Sequence, residues 1–239
     1  MGGWRVLYHR RVKPFELLGQ AEAPDGTALT LVRRDDEYLI LADGKPLMSS
    51  RVHGSEEALA AAGCRRSQSL KSPHVLIGGL GMGFTLRAAL RILPPGATVT
   101  VAELVPAVVE WNRGPLSDLA AHSLGDKRVR VKIDDVAALL RSGRDQFDAV
   151  LLDVDNGPAA FTVSHNAALY NDAGVANAFR ALKPNGVLAV WSAREDKKFD
   201  RCLRSAGFAV RVERAPARRS GSGTRHTIYL ADKPAARST

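Results

Sequence analysis

Cysteine is scarce. Only Cys64 and Cys202 occur in 239 residues, far apart and with no metal-ligand spacing around either. That excludes a disulfide-stapled scaffold and leaves reduced thiols in a cytoplasmic protein, with no metal expected. Long apolar runs are missing too, and none approaches the roughly 20 residues of a membrane helix, so no membrane partner is expected. The opening Met1-Gly2-Gly3-Trp4-Arg5 runs into mixed polar sequence without the apolar stretch of a signal peptide. Internal repeats are absent, and residues 215–224 are the nearest approach to low complexity. Acid is in deficit, with 25 Asp and Glu against 34 Lys and Arg, a formal charge of +9. Residues 201–239 carry nine basic side chains against Glu213 and Asp232. Such a region attracts nucleic acid or an acidic substrate, or serves as a solvated surface, which is the favoured reading. The chain is 45% hydrophobic, enough at this length for one sizeable core and a small appendage.

The stretch that organises the chain is residues 75–87, VLIGGLGMGFTLR. Val75, Leu76 and Ile77 form a buried-strand pattern, followed by Gly78, Gly79, Gly81 and Gly83 and then the first turns of a helix. Strand, glycine turn and helix N-terminus in that order make a nucleotide site, because glycine admits positive φ and lets backbone approach the ligand. The next strand, 98–102, ends in Glu103, about 20 residues past the last glycine, the spacing at which a carboxylate meets ribose hydroxyls. An adenosine-type cofactor is expected on Gly79, Gly81, Gly83 and Glu103. A nicotinamide dehydrogenase fits the glycine run in isolation but not the acids that follow.

Residues 1–52 read as a small β-rich domain, with strands near 15–21, 27–32, 38–41 and 46–48 separated by Pro24-Asp25-Gly26, Asp35-Asp36 and Asp43-Gly44. A helix over 55–62 follows, with Ser55 as its N-cap and Gly63 as its stop. The rest, 53–239, alternates strands and helices: strand 75–77, helix 84–93, strand 98–102, a helix from Pro106, strand 128–133, helix 135–142 and strand 147–152. Helix 172–182 ends before Lys183-Pro184-Asn185-Gly186, strand 187–191 follows, then helix 196–206 and a hairpin of 208–214 with 224–231. Repeated βα units with apolar strands predict a mostly parallel, doubly covered α/β sheet with an antiparallel C-terminal edge.

In such a sheet ligands lie outside the carboxyl ends of the strands. The acids there are Glu103, then Asp134 and Asp135, then Asp153 and Asp155. Asp134 and Asp135 either contact an adenine amino group or cap the helix over 135–142, and one residue of the pair can do each. Asp153 and Asp155 are suited to hold an amine or sulfonium, or to take a proton from a nucleophile; the alternative is an Asp-rich turn. His53, Glu56 and Tyr170 are candidate substrate-side residues. Trp191 could stack on a substrate or fill the core.

Order and spacing over about 36–192 resemble the spermidine synthase family of polyamine aminopropyltransferases, within the class I S-adenosyl-L-methionine (AdoMet)-dependent methyltransferase fold. The segments that carry the resemblance are YLILADGKPLMSS, VLIGGLGMG, Glu103, Asp135, FDAVLLDVDNGP and LKPNGVLAVW. The resemblance implies a Rossmann-like sheet of seven strands behind the β-rich domain, a ribose contact at Glu103 and an adenine contact at Asp135. It also implies substrate-side roles for Asp153 and Asp155, with Asp155 the base on an attacking amine, and a homodimer. The departures are Gly81 where that family carries an Asp, Gly54-Ser55-Glu56 in place of Tyr-Gln-Glu, and Asp153-Val154-Asp155-Asn156-Gly157-Pro158 in place of Asp-Ser-Ser-Asp-Pro. They shift the expectation toward methyl transfer from AdoMet to an unidentified acceptor. The alternative is aminopropyl transfer from decarboxylated AdoMet to putrescine or a related amine. A third reading is a non-catalytic adenosyl- or nucleic-acid-binding protein using the basic C-terminal region.

Overall fold

The computed structural model describes residues 13–154, 158, 167–218, 220 and 223–235. Its first layer is an antiparallel meander of β1 (Glu16–Glu22), β2 (Ala28–Arg34), β3 (Glu37–Ala42) and β4 (Lys45–Ser49), paired in that order. The β3–β4 turn places Asp43 and Gly44 at φ 48° and 74°, the double positive φ that a tight hairpin demands. Leu29, Leu31 and Ile40 of the meander share one core with Leu59, Met82, Leu86, Val108 and Trp111.

α1 (Gly54–Gly63) leads to the main sheet, which is built from β5 (His74–Gly78), α2 (Phe84–Ile92), β6 (Thr98–Glu103), α3 (Pro106–Arg113), β7 (Val129–Ile133), α4 (Val136–Ser142) and β8 (Phe147–Leu152). α5 (Ala167–Tyr170), α6 (Asp172–Ala181), β9 (Leu182–Ser192), α7 (Lys197–Ser205), β10 (Ala209–Pro216) and β11 (Arg225–Asp232) complete it. The seven strands run in the order β10-β11-β9-β8-β5-β6-β7; β5 to β9 are parallel, and β11 and β10 join antiparallel. The chain therefore steps from β5 outward to β7, then crosses back to place β8 on the other side of β5. That reversal opens a crevice at the carboxyl ends of β5 and β8, where doubly wound sheets bind ligands.

The fold class agrees with the sequence reading, and two local expectations do not. Lys183-Pro184-Asn185-Gly186 is not a helix stop ahead of a later strand: α6 ends at Ala181 and β9 already begins at Leu182. The register slips between Phe147 and Ala149 opposite it, with Asn185 at φ 64°, so a bulge absorbs the turn-forming residues. Ser55 does not cap α1 either. His53 occupies the cap position without a side-chain capping bond, and Ser55 is fully buried and bonded elsewhere.

Candidate active site

The glycine turn follows directly from the three-residue apolar run of β5. Gly79, Gly81 and Gly83 all have positive φ, at 87°, 52° and 77°. At Gly79 a Cβ would lie 2.5 Å from the carbonyl oxygen of Asp153, so only glycine lets the turn pass under the end of β8. At Gly81 a Cβ would meet Met48 of β4, with its Cε at 2.8 Å and Sδ at 2.9 Å. The meander thus lays a thioether against the turn at the position where the resembling family carries a carboxylate.

Glu103 closes the turn from the β6 side. Its Oε2 accepts from the Leu80 N–H and its Oε1 from the Val105 N–H, both at 2.9 Å, and the residue is buried. It therefore holds the glycine turn and the start of α3 in register. Asn112 supports the same turn from α3, with Nδ2 donating to the Gly81 carbonyl at 2.8 Å. At the end of β7, Asp135 caps α4, its Oδ1 accepting from the Ala137 N–H at 2.8 Å. Asp134 accepts from the Asp135 N–H, and both acids are exposed. Leu104 and Ile133, 40% and 51% exposed, stand at the ends of β6 and β7 beside these acids and offer an apolar wall for a flat base.

The acid end of β8 is assembled from three elements. Asp153 Oδ2 accepts from Thr85 Oγ1, on the first turn of α2, at 2.5 Å. Burial pushes the Asp153 carboxyl up to about 6, against the lowering effect of that bond. Glu56, on the first turn of α1, is pushed up to about 7, first by burial and second by the charge of Asp153. Burial and the charge of one carboxyl on the other disfavour ionising both, and a cation entering the corner would relieve that penalty. Ser55 Oγ donates to Glu56 Oε2 at 2.7 Å and lies 2.9 Å from His226 Nδ1 on β11.

His53 stacks on Phe84 at a centroid distance of 4.3 Å, and its Nδ1 lies 3.0 Å from the Ser50 carbonyl. Arg87 spans the same corner, bonded to Glu57 at 2.7 Å with its guanidinium 4.9 Å from the Phe84 ring. Tyr170 meets Phe199 edge-on at 5.5 Å, and its hydroxyl lies 3.5 Å from the Val154 carbonyl. Trp191 turns its ring edge-on to His226 at 4.6 Å, and its buried Nε1 finds no hydrogen-bond partner among the described residues. Asp155, the other expected acid of this loop, lies outside the described residues.

The structure thus gathers Gly79, Gly81, Gly83 and Glu103 into one turn, and Glu56 and Asp153 into one acidic corner behind it. Asp134 and Asp135 form the outer rim at β7. Sequence reasoning missed Thr85, Met48 and His226. Thr85 was within reach, as a hydroxyl on the first turn of the helix that follows a glycine loop; Met48 and His226 had no local signal.

The sequence and fold of the chain are similar to those of known proteins. The family model described as Spermine/spermidine synthase domain matches residues 53–198. The chain belongs to the spermine/spermidine synthase family. The polyamine aminopropyltransferase of Mycobacterium tuberculosis is 36% identical over 199 residues, which cover 76% of this chain and 35% of that protein. Polyamine aminopropyltransferase 2 of Streptomyces coelicolor is 34% identical over 200 residues, again 76% of this chain and 35% of the relative. The chain therefore spans about a third of the length of these relatives. Among solved structures, the spermidine synthase of Thermotoga maritima superposes with a TM-score of 0.71 at 19% identity, over 97% of this chain and 85% of that one. A spermidine synthase in complex with the transition state analogue AdoDATO superposes with a TM-score of 0.74 at 20% identity, over 96% and 85%. Membership in this family does not support the expected methyl transfer, since the curated relatives are named aminopropyltransferases. Gly81 had carried the methyl reading, and the packing of Met48 against it gives that glycine a structural explanation independent of the donor.

Proposed function

We propose that the chain is an aminopropyltransferase that takes decarboxylated AdoMet as donor and an amine of the putrescine type as acceptor. The observation that carries this reading is the buried acid pair, Glu56 and Asp153, behind the glycine turn. AdoMet would bring a carboxylate to a corner that already resists holding two negative charges, whereas the decarboxylated donor brings only its ammonium and sulfonium. A cation is worth most where it relieves such a pair. The pair thus takes over the charge role that an Asp at position 81 would have had, from different elements of the same crevice.

In this reading Glu103 accepts the ribose hydroxyls while holding Leu80 and Val105. The adenine lies over Leu104 and Ile133, with its amino group on the carboxylate of Asp135. Asp153 holds or deprotonates the attacking amine, Thr85 keeps its carboxyl aimed, and Tyr170 and His53 bound the acceptor side. The reaction is an in-line displacement: the amine nitrogen bonds the propyl carbon, the carbon–sulfur bond breaks toward a neutral thioether, and the nitrogen loses a proton. The rate comes mainly from alignment and from the fixed negative charge.

Calorimetric titration with decarboxylated AdoMet and AdoMet in parallel tests the reading. The decarboxylated donor should bind at least about tenfold more tightly, the equivalent of one charge contact of about 1.4 kcal/mol. Equal or tighter binding of AdoMet would return the chain to methyl transfer.

A further inference from the structure

The acid pair does not end at Glu56. Glu56 Oε2 takes the Ser55 hydroxyl at 2.7 Å, and Ser55 Oγ meets His226 Nδ1 at 2.9 Å. His226 in turn lines a cavity of about 340 Å³ with Val52, Ala217, Arg218, Gly223 and Thr224. Ser55 and His226 are 171 residues apart in the chain. Their meeting is braced by the Gly54 N–H donating to the Ala217 carbonyl at 2.8 Å, which ties α1 to the end of the hairpin. The edge-on Trp191 ring packs against the imidazole on another side. Neither helix capping nor core packing calls for a buried Ser paired with a half-buried His behind a carboxyl.

We propose that Glu56, Ser55 and His226 form a proton conduit through which the acidic corner exchanges a proton with the cavity beside the hairpin. This inference rests on the aminopropyl-transfer reading for its role in turnover. The chain has two polarised states. With Glu56 ionised, Ser55 donates to Oε2 and His226 donates from Nδ1 to Ser55. With Glu56 protonated, its O–H donates to Ser55, Ser55 donates to Nδ1, and the imidazole carries its proton on Nε2. Conversion of the second state to the first breaks the Glu56 O–H bond, makes and breaks one Ser55 O–H bond, makes Nδ1–H and releases the Nε2 proton to water in the cavity. One proton leaves and nothing is oxidised or reduced. A cationic donor or amine entering the corner drives this step, since it favours two ionised carboxylates. After transfer the proton lost by the amine recharges the pair, and the imidazole resets by exchanging tautomers with water.

The surroundings of the conduit favour a proton kept on Glu56 and a neutral His226 until a cation enters the corner. Burial first, then the charge of Asp153 and, last, that of Glu57 raise the proton affinity of Glu56, while burial lowers that of His226.

Two measurements decide the proposal. The first is ¹⁵N imidazole NMR of the apo protein, which needs no activity. His226 should switch tautomer in the same pH step in which Glu56 titrates, and Glu56→Gln should abolish that step. A single His226 tautomer throughout the Glu56 titration overturns the conduit. The second is stopped-flow detection, with a pH indicator, of protons released on mixing with decarboxylated AdoMet. His226→Ala should slow the release by at least about tenfold, toward the lower end of a general acid–base contribution, and imidazole diffusing into the enlarged cavity should restore it. His226→Gln, which keeps the bulk and a hydrogen bond to Ser55, controls for folding and should remain slow without rescue by its own side chain. Release at the wild-type rate in both variants overturns the conduit. If the tautomer switch is present but no aminopropyl transfer occurs, the function assigned above fails and the conduit stands.

Discussion

Replacing Glu56 by Gln tests the electrostatics of the acidic corner without touching its shape. Glu56 is moved from an ordinary 4.5 to about 7 by burial and by Asp153. At roughly 1.4 kcal/mol per tenfold change in proton affinity, its ionisation in the folded chain costs about 3 kcal/mol relative to the unfolded chain. The sign follows from proton counting. Between 4.5 and 7 the folded state binds more protons at this site than the unfolded state, so stability falls as pH rises through that window. Gln removes the penalty and can still accept from Ser55 through its amide oxygen. Its NH₂ group, if left without a partner in the pocket, gives back about 1 kcal/mol. The variant should match the wild type or be slightly weaker at pH 4.5. At pH 8 it should be more stable by about 2 kcal/mol, a rise in Tm of roughly 4–8 °C for a chain of this size. Thermal unfolding followed by circular dichroism at pH 4.5, 6 and 8 measures the gap. Saturating decarboxylated AdoMet should shrink it, because a bound cation stabilises the wild-type carboxylate and not the amide. A difference in Tm that stays constant across the three pH values would refute the raised proton affinity of buried Glu56.

Thr85→Val removes the donor that holds Asp153 in its ionised form. Amine transfer at pH 7 should fall about tenfold to a hundredfold, the worth of a hydrogen bond to a charged group, and the loss should diminish at higher pH; a pH-independent loss in the kcat profile would make Thr85 a packing residue only. At Asp135 two substitutions separate its two jobs. Asp135→Ala should cost about 1 kcal/mol of stability through the lost cap and also weaken donor binding. Asp135→Asn should keep the cap, and its effect on donor affinity by calorimetry then reads the adenine contact alone. Wild-type affinity in the Asn variant would leave this residue with capping as its only role.

The main sheet was legible because its information is local. Val75, Leu76 and Ile77 are fully buried as the apolar run implied, and the three glycines of the turn take the positive φ that their spacing suggested. The distance of Glu103 from that turn has a structural counterpart, since its two oxygens stitch Leu80 to Val105. Residues 183–186 misled because Pro, Asn and Gly signal an interruption without saying whether it ends an element or bulges one. Ser55 misled for a related reason: a hydroxyl at the start of a helix fits capping locally, and only the arrival of β11 beside α1 shows that its bond is to His226. The site's missing parts were all of this kind. Thr85 reaches Asp153 across 68 positions, and Met48 reaches Gly81 from another sheet, pairings that tertiary packing makes and no periodicity announces.

The contact of Met48 with Gly81 ties the glycine turn to the small sheet that precedes it. An Asp introduced at position 81 alone would drive its Cβ into the Met48 side chain. A shorter residue at position 48 alone would open a gap over the turn. The thioether is the flexible end of its side chain and can give way, whereas the φ of 52° at position 81 strains any side chain placed there, so a change at position 48 relieves only the contact. The shape of the glycine turn therefore depends partly on a strand that precedes the main sheet, and redesign of position 81 has to reckon with position 48 as well.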